Sequence, residues 1–179
     1  MDDTAPARPS RTARVAFLCS VIGALVAGVG ATRPWTMVSG FLTPGRGIDD
    51  TEGLVILVLA VTVLVAALAA RRGRSGNARR SAALVTIVAS SIIIGLGIYV
   101  ALALPARVRT QEIDQGVADG VAHGFDAQAM RAQLEGSVSV ERRDGIWLCI
   151  LGGALGLTGG ILTLRWASSI APAAETSEA

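Results

Sequence analysis

Four apolar stretches, residues 15–32, 54–70, 81–104 and 146–164, contain no Asp, Glu, Lys, Arg or His. An α-helix rising ~1.5 Å per residue needs about 20 apolar residues to cross a hydrocarbon core of ~30 Å. Stretches of 18, 17, 24 and 19 residues meet that length, with slight tilt or local thinning taking up the difference. Backbone polar groups cannot stay unpaired in lipid, so each stretch is expected to be helical and the chain to be an all-α integral membrane four-helix bundle. The bundle domain is placed at 15–166. The flanking segments 1–14 and 167–179 are rich in Ala, Ser, Thr, Pro, Asp and Glu without apolar periodicity, and are expected to be disordered cytoplasmic tails.

Charge sets the expected orientation, because cytoplasmic loops keep an excess of basic residues. All sixteen basic residues are Arg. Arg8, Arg11 and Arg14 precede the first stretch, and Arg71, Arg72, Arg74, Arg79 and Arg80 fill the turn 71–80. The outer loop 33–53 sets Arg33 and Arg46 against Asp49, Asp50 and Glu52, and the outer loop 105–145 sets five Arg against seven acids. This pattern predicts a multi-pass protein of the plasma (inner) membrane, N-in and C-in. Its basic turn would face the cytoplasm, where arginines meet anionic membrane lipids. The first stretch exceeds the 7 to 15 apolar residues usual in a cleaved leader and reads as a permanent anchor.

In Arg33-Pro34-Trp35, proline ends a helix, Trp35 is expected at the membrane interface, and Arg33 reaches the headgroups. Trp147 and Trp166 are the matching interfacial anchors of the fourth stretch. Gly40, Pro44, Gly45 and Gly47 predict a turn-rich surface. Asp49, Asp50 and Glu52 read as solvated charges at a helix start, since three carboxylates fall short of the six to eight oxygens that Ca²⁺ takes. Within 105–145, Ile113, Val117, Val121 and Phe125 form an i+4 stripe, weakened as a helix by Gly116, Gly120 and Gly124. Asp126 is expected to cap a second short helix containing Met130 and Leu134, with Gly136 as its stop and 137–140 extended.

The strongest local pattern is Gly152, Gly156 and Gly160 at four-residue spacing, reinforced by Gly153 and Gly159. Small residues at this spacing let helix backbones approach closely in lipid. Ser20, Ala24 and Gly28 predict a matching seam on the first stretch, and Ser91 with Gly95 a shorter one on the third. Packing inside the bundle and assembly into a homo-oligomer, or with a membrane-protein partner, both use such a face.

Chemistry is sparse. His123 is the only histidine and reads as an exposed loop residue, and no nucleophile, metal-ligand or phosphate-loop motif occurs. No enzyme activity, cofactor, metal or nucleic-acid partner is therefore expected. Cys19 and Cys149 should lie roughly 15 to 20 Å apart in depth, too far for a disulfide. No stretch carries an ionisable residue at depth or an internal proline, which argues against coupled transport.

Several of these features occur together: Arg33-Pro34-Trp35 after an Ala/Gly-rich first stretch, the Arg-rich turn, and Gly145-x-Trp147 opening a glycine-laden fourth stretch that ends at Arg165-Trp166. In this the chain resembles the actinobacterial tryptophan-biosynthesis-associated (Trp-operon-associated) four-span membrane proteins. The resemblance covers nearly all four stretches and implies no assigned active site. The expected function is a non-enzymatic accessory or interaction protein working through helix–helix and outer-loop contacts. A small transporter or pore component, or an envelope sensor using loop 105–145, are the alternatives.

Overall fold

The computed structural model describes residues 10–38, 45–46, 51–73 and 75–170. The remaining parts of the expected tails, with Arg8, Arg74, Gly40, Pro44, Gly47, Asp49 and Asp50, lie outside the described residues. In chain order the elements are α1 (Arg11–Thr32), β1 (Pro34–Val38), β2 (Gly45–Arg46), α2 (Thr51–Arg72), α3 (Gly76–Ala122), α4 (Ala127–Ser137), β3 (Val140–Arg142) and α5 (Asp144–Ile170). Helices α1, α2, α3 and α5 are long and apolar enough to cross a membrane.

Each of these helices extends past its apolar stretch. The Ser10 hydroxyl accepts from the Ala13 N–H at 3.3 Å and starts α1 at Arg11, so 11–14 belong to the helix and not to a tail. Likewise α5 runs to Ile170, into the segment expected as the second tail. Ser75 caps α3 in the same way, accepting from Ala78 at 3.2 Å.

Around the bundle the helices follow the order α1, α2, α3, α5, with α5 packed chiefly against α1 and α3. Small side chains dominate the interior: Ala24, Ala27, Ala60, Ala89 and Cys149 are buried, with Ile56, Val63 and Ile93 filling between them. Leu18, Leu25, Val58, Val65, Ile92 and Leu151 point outward and are exposed. Large side chains outside and small ones inside is the arrangement expected where lipid, not water, surrounds the helices.

The third helix departs furthest from expectation. It does not end at Leu104 but continues through Pro105 as one helix of 47 residues. Proline removes an N–H and costs about 3 kcal/mol in a helix interior. Downstream packing offsets that cost. Ile113 is buried with Val38 of β1 and Val138, and Val108, Val117, Leu134 and Val140 pack around them. These residues form a small headpiece beyond the bundle, built from the end of α3, α4 and a three-stranded antiparallel sheet of order β2-β1-β3. Strand β1 pairs with β3 in the register Thr36↔Arg142, Met37↔Glu141, Val38↔Val140. Since β1 follows α1 and β3 precedes α5, the sheet prolongs the α1–α5 contact outward.

The glycines expected to weaken this region instead admit α4. A Cβ on Gly116 would stand 2.8 Å from Leu134 Cδ1, and one on Gly120 2.7 Å from Met130 Cε. The expected four-residue stripe is therefore split: Ile113 and Val117 pack inward, while Val121 and Phe125 remain exposed. Helix α3 stops where Gly124 takes φ +87°, with Phe125 N–H on the Gly120 carbonyl at 3.1 Å and Gly124 N–H on that of Val121 at 3.0 Å. Asp126 Oδ1 then caps α4 by accepting from Gln128 at 2.8 Å and Ala129 at 3.2 Å. Gly136 does not stop α4, which ends one residue later at Ser137, and the extended segment is Val140–Arg142, displaced from 137–140.

Candidate functional site

The α1–α5 contact is a backbone contact. A Cβ on Gly23 would lie 2.5 Å from the Gly156 nitrogen and 2.6 Å from the Gly152 oxygen, and one on Gly30 would lie 2.7 Å from the Cys149 nitrogen. Gly152 returns the contact against Ala27, and Gly159 against Ser20 and Ala16. The seam on α1 is thus Ala16, Ser20, Gly23, Ala27 and Gly30, with Ala24 buried beside it. Gly28 belongs to another face, where the nearest group to an added Cβ is Leu57 at 3.8 Å.

On α5 the expected Gly152/Gly156/Gly160 face divides between two neighbours. Gly152 meets α1, whereas Gly160 meets Ile87 and Thr86 of α3, and Gly153 meets Ile93, Ile94 and Ser90. Gly156 stands between them, 2.5 Å in Cβ position from Ser90 Oγ. The glycine face is therefore occupied within the chain. On α3 the small residue at the contact is Ser90 and not Ser91, which is exposed, and an added Cβ on Gly95 would meet nothing within 4 Å. Sequence spacing alone does not separate adjacent small residues such as Ser90 and Ser91, because both lie on apolar helix faces of similar composition.

Trp35 is the clearest correction among the expected interfacial anchors. It is 1% exposed, and its indole Nε1 donates to the Gly30 carbonyl at 3.0 Å. Strand β1 carries it over the ends of α1 and α5, where a Cβ on Gly145 would come within 2.6 Å of its Cδ1. Trp147 is exposed near the start of α5. Arg33 lines a cleft of about 610 Å³ at this end, together with Pro34, Met37, Arg143, Asp144 and Leu148.

At the opposite end, the arginine-rich one, residues of all four long helices line a cleft of about 640 Å³. Its rim carries Arg14 of α1, Arg71 of α2 and Arg79 of α3, with Phe17 and Trp166 beside them. The Arg71 guanidinium lies 4.8 Å above the Phe17 ring and that of Arg79 lies 4.6 Å above Trp166, so both charges are held by aromatic faces. Arg79 Nε also donates to the Gly73 carbonyl at 2.9 Å. The floor is formed by Ser20, Thr86 and Thr163, all buried. Among the described residues, no carboxylate lines this cleft. Arg72 and Arg80 are exposed beside it and do not line it. Arg14, distant from the turn in sequence, joins the group because α1 packs beside α2.

Ion pairs among the described residues lie elsewhere, joining Arg107 to Glu52 at 3.4 Å, Arg131 to Asp114 at 2.6 Å and Arg143 to Glu141 at 3.8 Å. Glu52, expected as a solvated helix-start charge, is the partner of Arg107, which also reaches the Tyr99 hydroxyl. His123 is exposed, its Nδ1 2.8 Å from the Asp119 carbonyl. Cys149 sits against Ala27 and Gly30, eight and eleven residues along α1 from Cys19, which corresponds to roughly 12 to 17 Å of helix. Both cysteines are free.

No family model, curated protein or solved structure matches the chain. Fold and site together define a multi-pass helical bundle with a small folded headpiece at one end and an arginine-rimmed cleft at the other.

Proposed function

We propose that the chain is a non-enzymatic accessory protein of the bacterial plasma membrane, N-in and C-in, that engages a membrane-protein partner through its outer headpiece. One observation carries this reading. At the headpiece tip Phe125 is 61% and Val121 49% exposed, and α3 carries them up to ~27 Å beyond Leu104. At that height the chain's own bilayer does not cover them, and exposed apolar side chains on a rigid helical mount suit a protein contact. The close approach of Gly23, Gly156 and Ser90 at the bundle centre weighs against a solute path through a single chain. Membership of the Trp-operon-associated membrane proteins belongs to the same proposal.

The test places a photo-crosslinking residue at position 125 and, as a control, at Asn77 on the basic end, in native membranes. One discrete adduct from position 125, absent from 77 and lost when Val121 is also replaced by Asp, is expected. A purified monomer that crosslinks to nothing from position 125 and yet moves a solute into liposomes would sink the accessory reading. Labelling of cysteines introduced at Ser75 and His123 checks the orientation: modification of both from one side of the membrane overturns it.

A further inference from the structure

We infer that the cleft at the arginine-rich end is a binding site for one acidic phospholipid, its phosphate held by Arg14, Arg71 and Arg79. The site stands on the cleft alone and not on the headpiece. Arg14, Arg71 and Arg79 line one space of about 640 Å³ that no carboxylate among the described residues lines. Two of them are fixed over aromatic rings, Arg71 on Phe17 and Arg79 on Trp166, so little side-chain freedom is lost when an anion arrives. Guanidinium forks match the oxygen geometry of a phosphate group.

The walls select the groups attached to that phosphate. From Arg14 to Ser20 the cleft descends ~9 Å along α1, from charged rim to a floor where the Thr86 and Thr163 hydroxyls already donate to the Ala82 and Gly159 carbonyls of their own helices. Leu18, Ala67 and Ala70 make the sides apolar, and Leu18 is also exposed on the outer face of α1. A ligand with an anionic head and an acyl chain fits the charged rim and the apolar walls, the chain leaving past Leu18 into the surrounding lipid. A free phosphate or sugar phosphate would use the rim and leave the apolar walls uncovered. Exposed basic residues attract acidic membranes without selecting one molecule. Here the enclosure by four helices adds a defined stoichiometry.

The full chain in a neutral detergent is titrated with phosphatidylglycerol and with phosphatidylcholine, and bound lipid is counted by native mass spectrometry. One phosphatidylglycerol per chain is expected, bound at least about tenfold more tightly than phosphatidylcholine, which carries the same phosphate but sets a fixed ammonium cation among the three guanidiniums, a like-charge contact that costs ~1 kcal/mol or more. The Arg71→Gln/Arg79→Gln variant should lose that preference by about tenfold or more, whereas Arg109→Gln/Arg131→Gln at the opposite end should keep it. If the double variant fails to fold, Arg14→Gln, whose guanidinium lies over neither ring, repeats the test. Equal binding of the two lipids, or an unchanged preference in the cleft variants, overturns the site. Displacement of phosphatidylglycerol by an equal concentration of glycerol phosphate overturns the lipid assignment in favour of a soluble phosphoester.

Discussion

Gly23 of α1 faces Gly156 of α5 so closely that a Cβ on the first would stand 2.5 Å from the backbone nitrogen of the second. The obstacle is main chain, which cannot rotate away. Gly23→Ala and Gly152→Ala should therefore push α1 and α5 apart and cost about 1 to 3 kcal/mol each. Gly95→Ala, where the added methyl meets nothing within 4 Å, should be neutral or slightly stabilising. Thermal unfolding in detergent ranks the three. Equal midpoints for all of them would show that the glycines at the seam are not what sets the helix spacing.

Trp35 joins three elements through one ring, being on β1, bonded to the end of α1 and stacked into the space left by Gly145 of α5. Trp35→Ala should cost about 3 to 5 kcal/mol, as for other buried aromatic truncations. Trp35→Phe should cost about 1 kcal/mol, because the Gly30 carbonyl keeps the Arg33 N–H at 3.2 Å when the indole bond is removed. A Trp35→Ala chain that unfolds at the unaltered midpoint would place the ring at a lipid interface after all.

The four spans are legible in the sequence because absence of charge over a helix length has few physical alternatives in a chain this apolar. Interior detail is not. Trp35 and Trp147 have the same composition-level signature, and only the pairing of β1 with β3, a contact between residues about a hundred apart, turns the first inward. Pro105 reads as a terminator because its local penalty is visible in sequence while the compensating burial of Ile113 against Val38 and Val138 is not. The cap at Asp126 is readable from neighbours alone, being a local hydrogen-bond device, whereas Gly124, expected only to weaken the helix, ends it at φ +87°. The cleft is half legible: the turn supplies Arg71 and Arg79, but Arg14 and Trp166 enter it by helix packing.

In the headpiece, Gly124 adopts φ +87°, which an L side chain enters only at a cost of roughly 1 kcal/mol or more. Gly124→Ala should loosen the turn between α3 and α4 without disturbing the long helices. Hydrogen exchange should quicken at the Phe125 amide, which is bonded to Gly120, and at the amides capped by Asp126. Faster exchange spread equally through α1 and α5 would mean instead that headpiece and bundle unfold as one unit.

Ser90 Oγ is buried at the bundle centre with no hydrogen-bond partner among the described residues. Leaving a hydroxyl unpaired is unfavourable, so Ser90→Ala should be neutral or stabilising by about 1 kcal/mol. The same oxygen is the nearest obstacle to a side chain at Gly156, at 2.5 Å, with the next atoms, Ser90 Cβ and Val63 Cγ1, at 3.5 and 3.7 Å. Gly156→Ala should then cost less than Gly23→Ala, because a hydroxyl can turn toward the Thr86 carbonyl one helical turn back. In a Ser90→Ala background that cost should vanish. A double-mutant cycle read by thermal unfolding measures the coupling, and strictly additive effects would show that α3 and α5 are not in contact at these two positions.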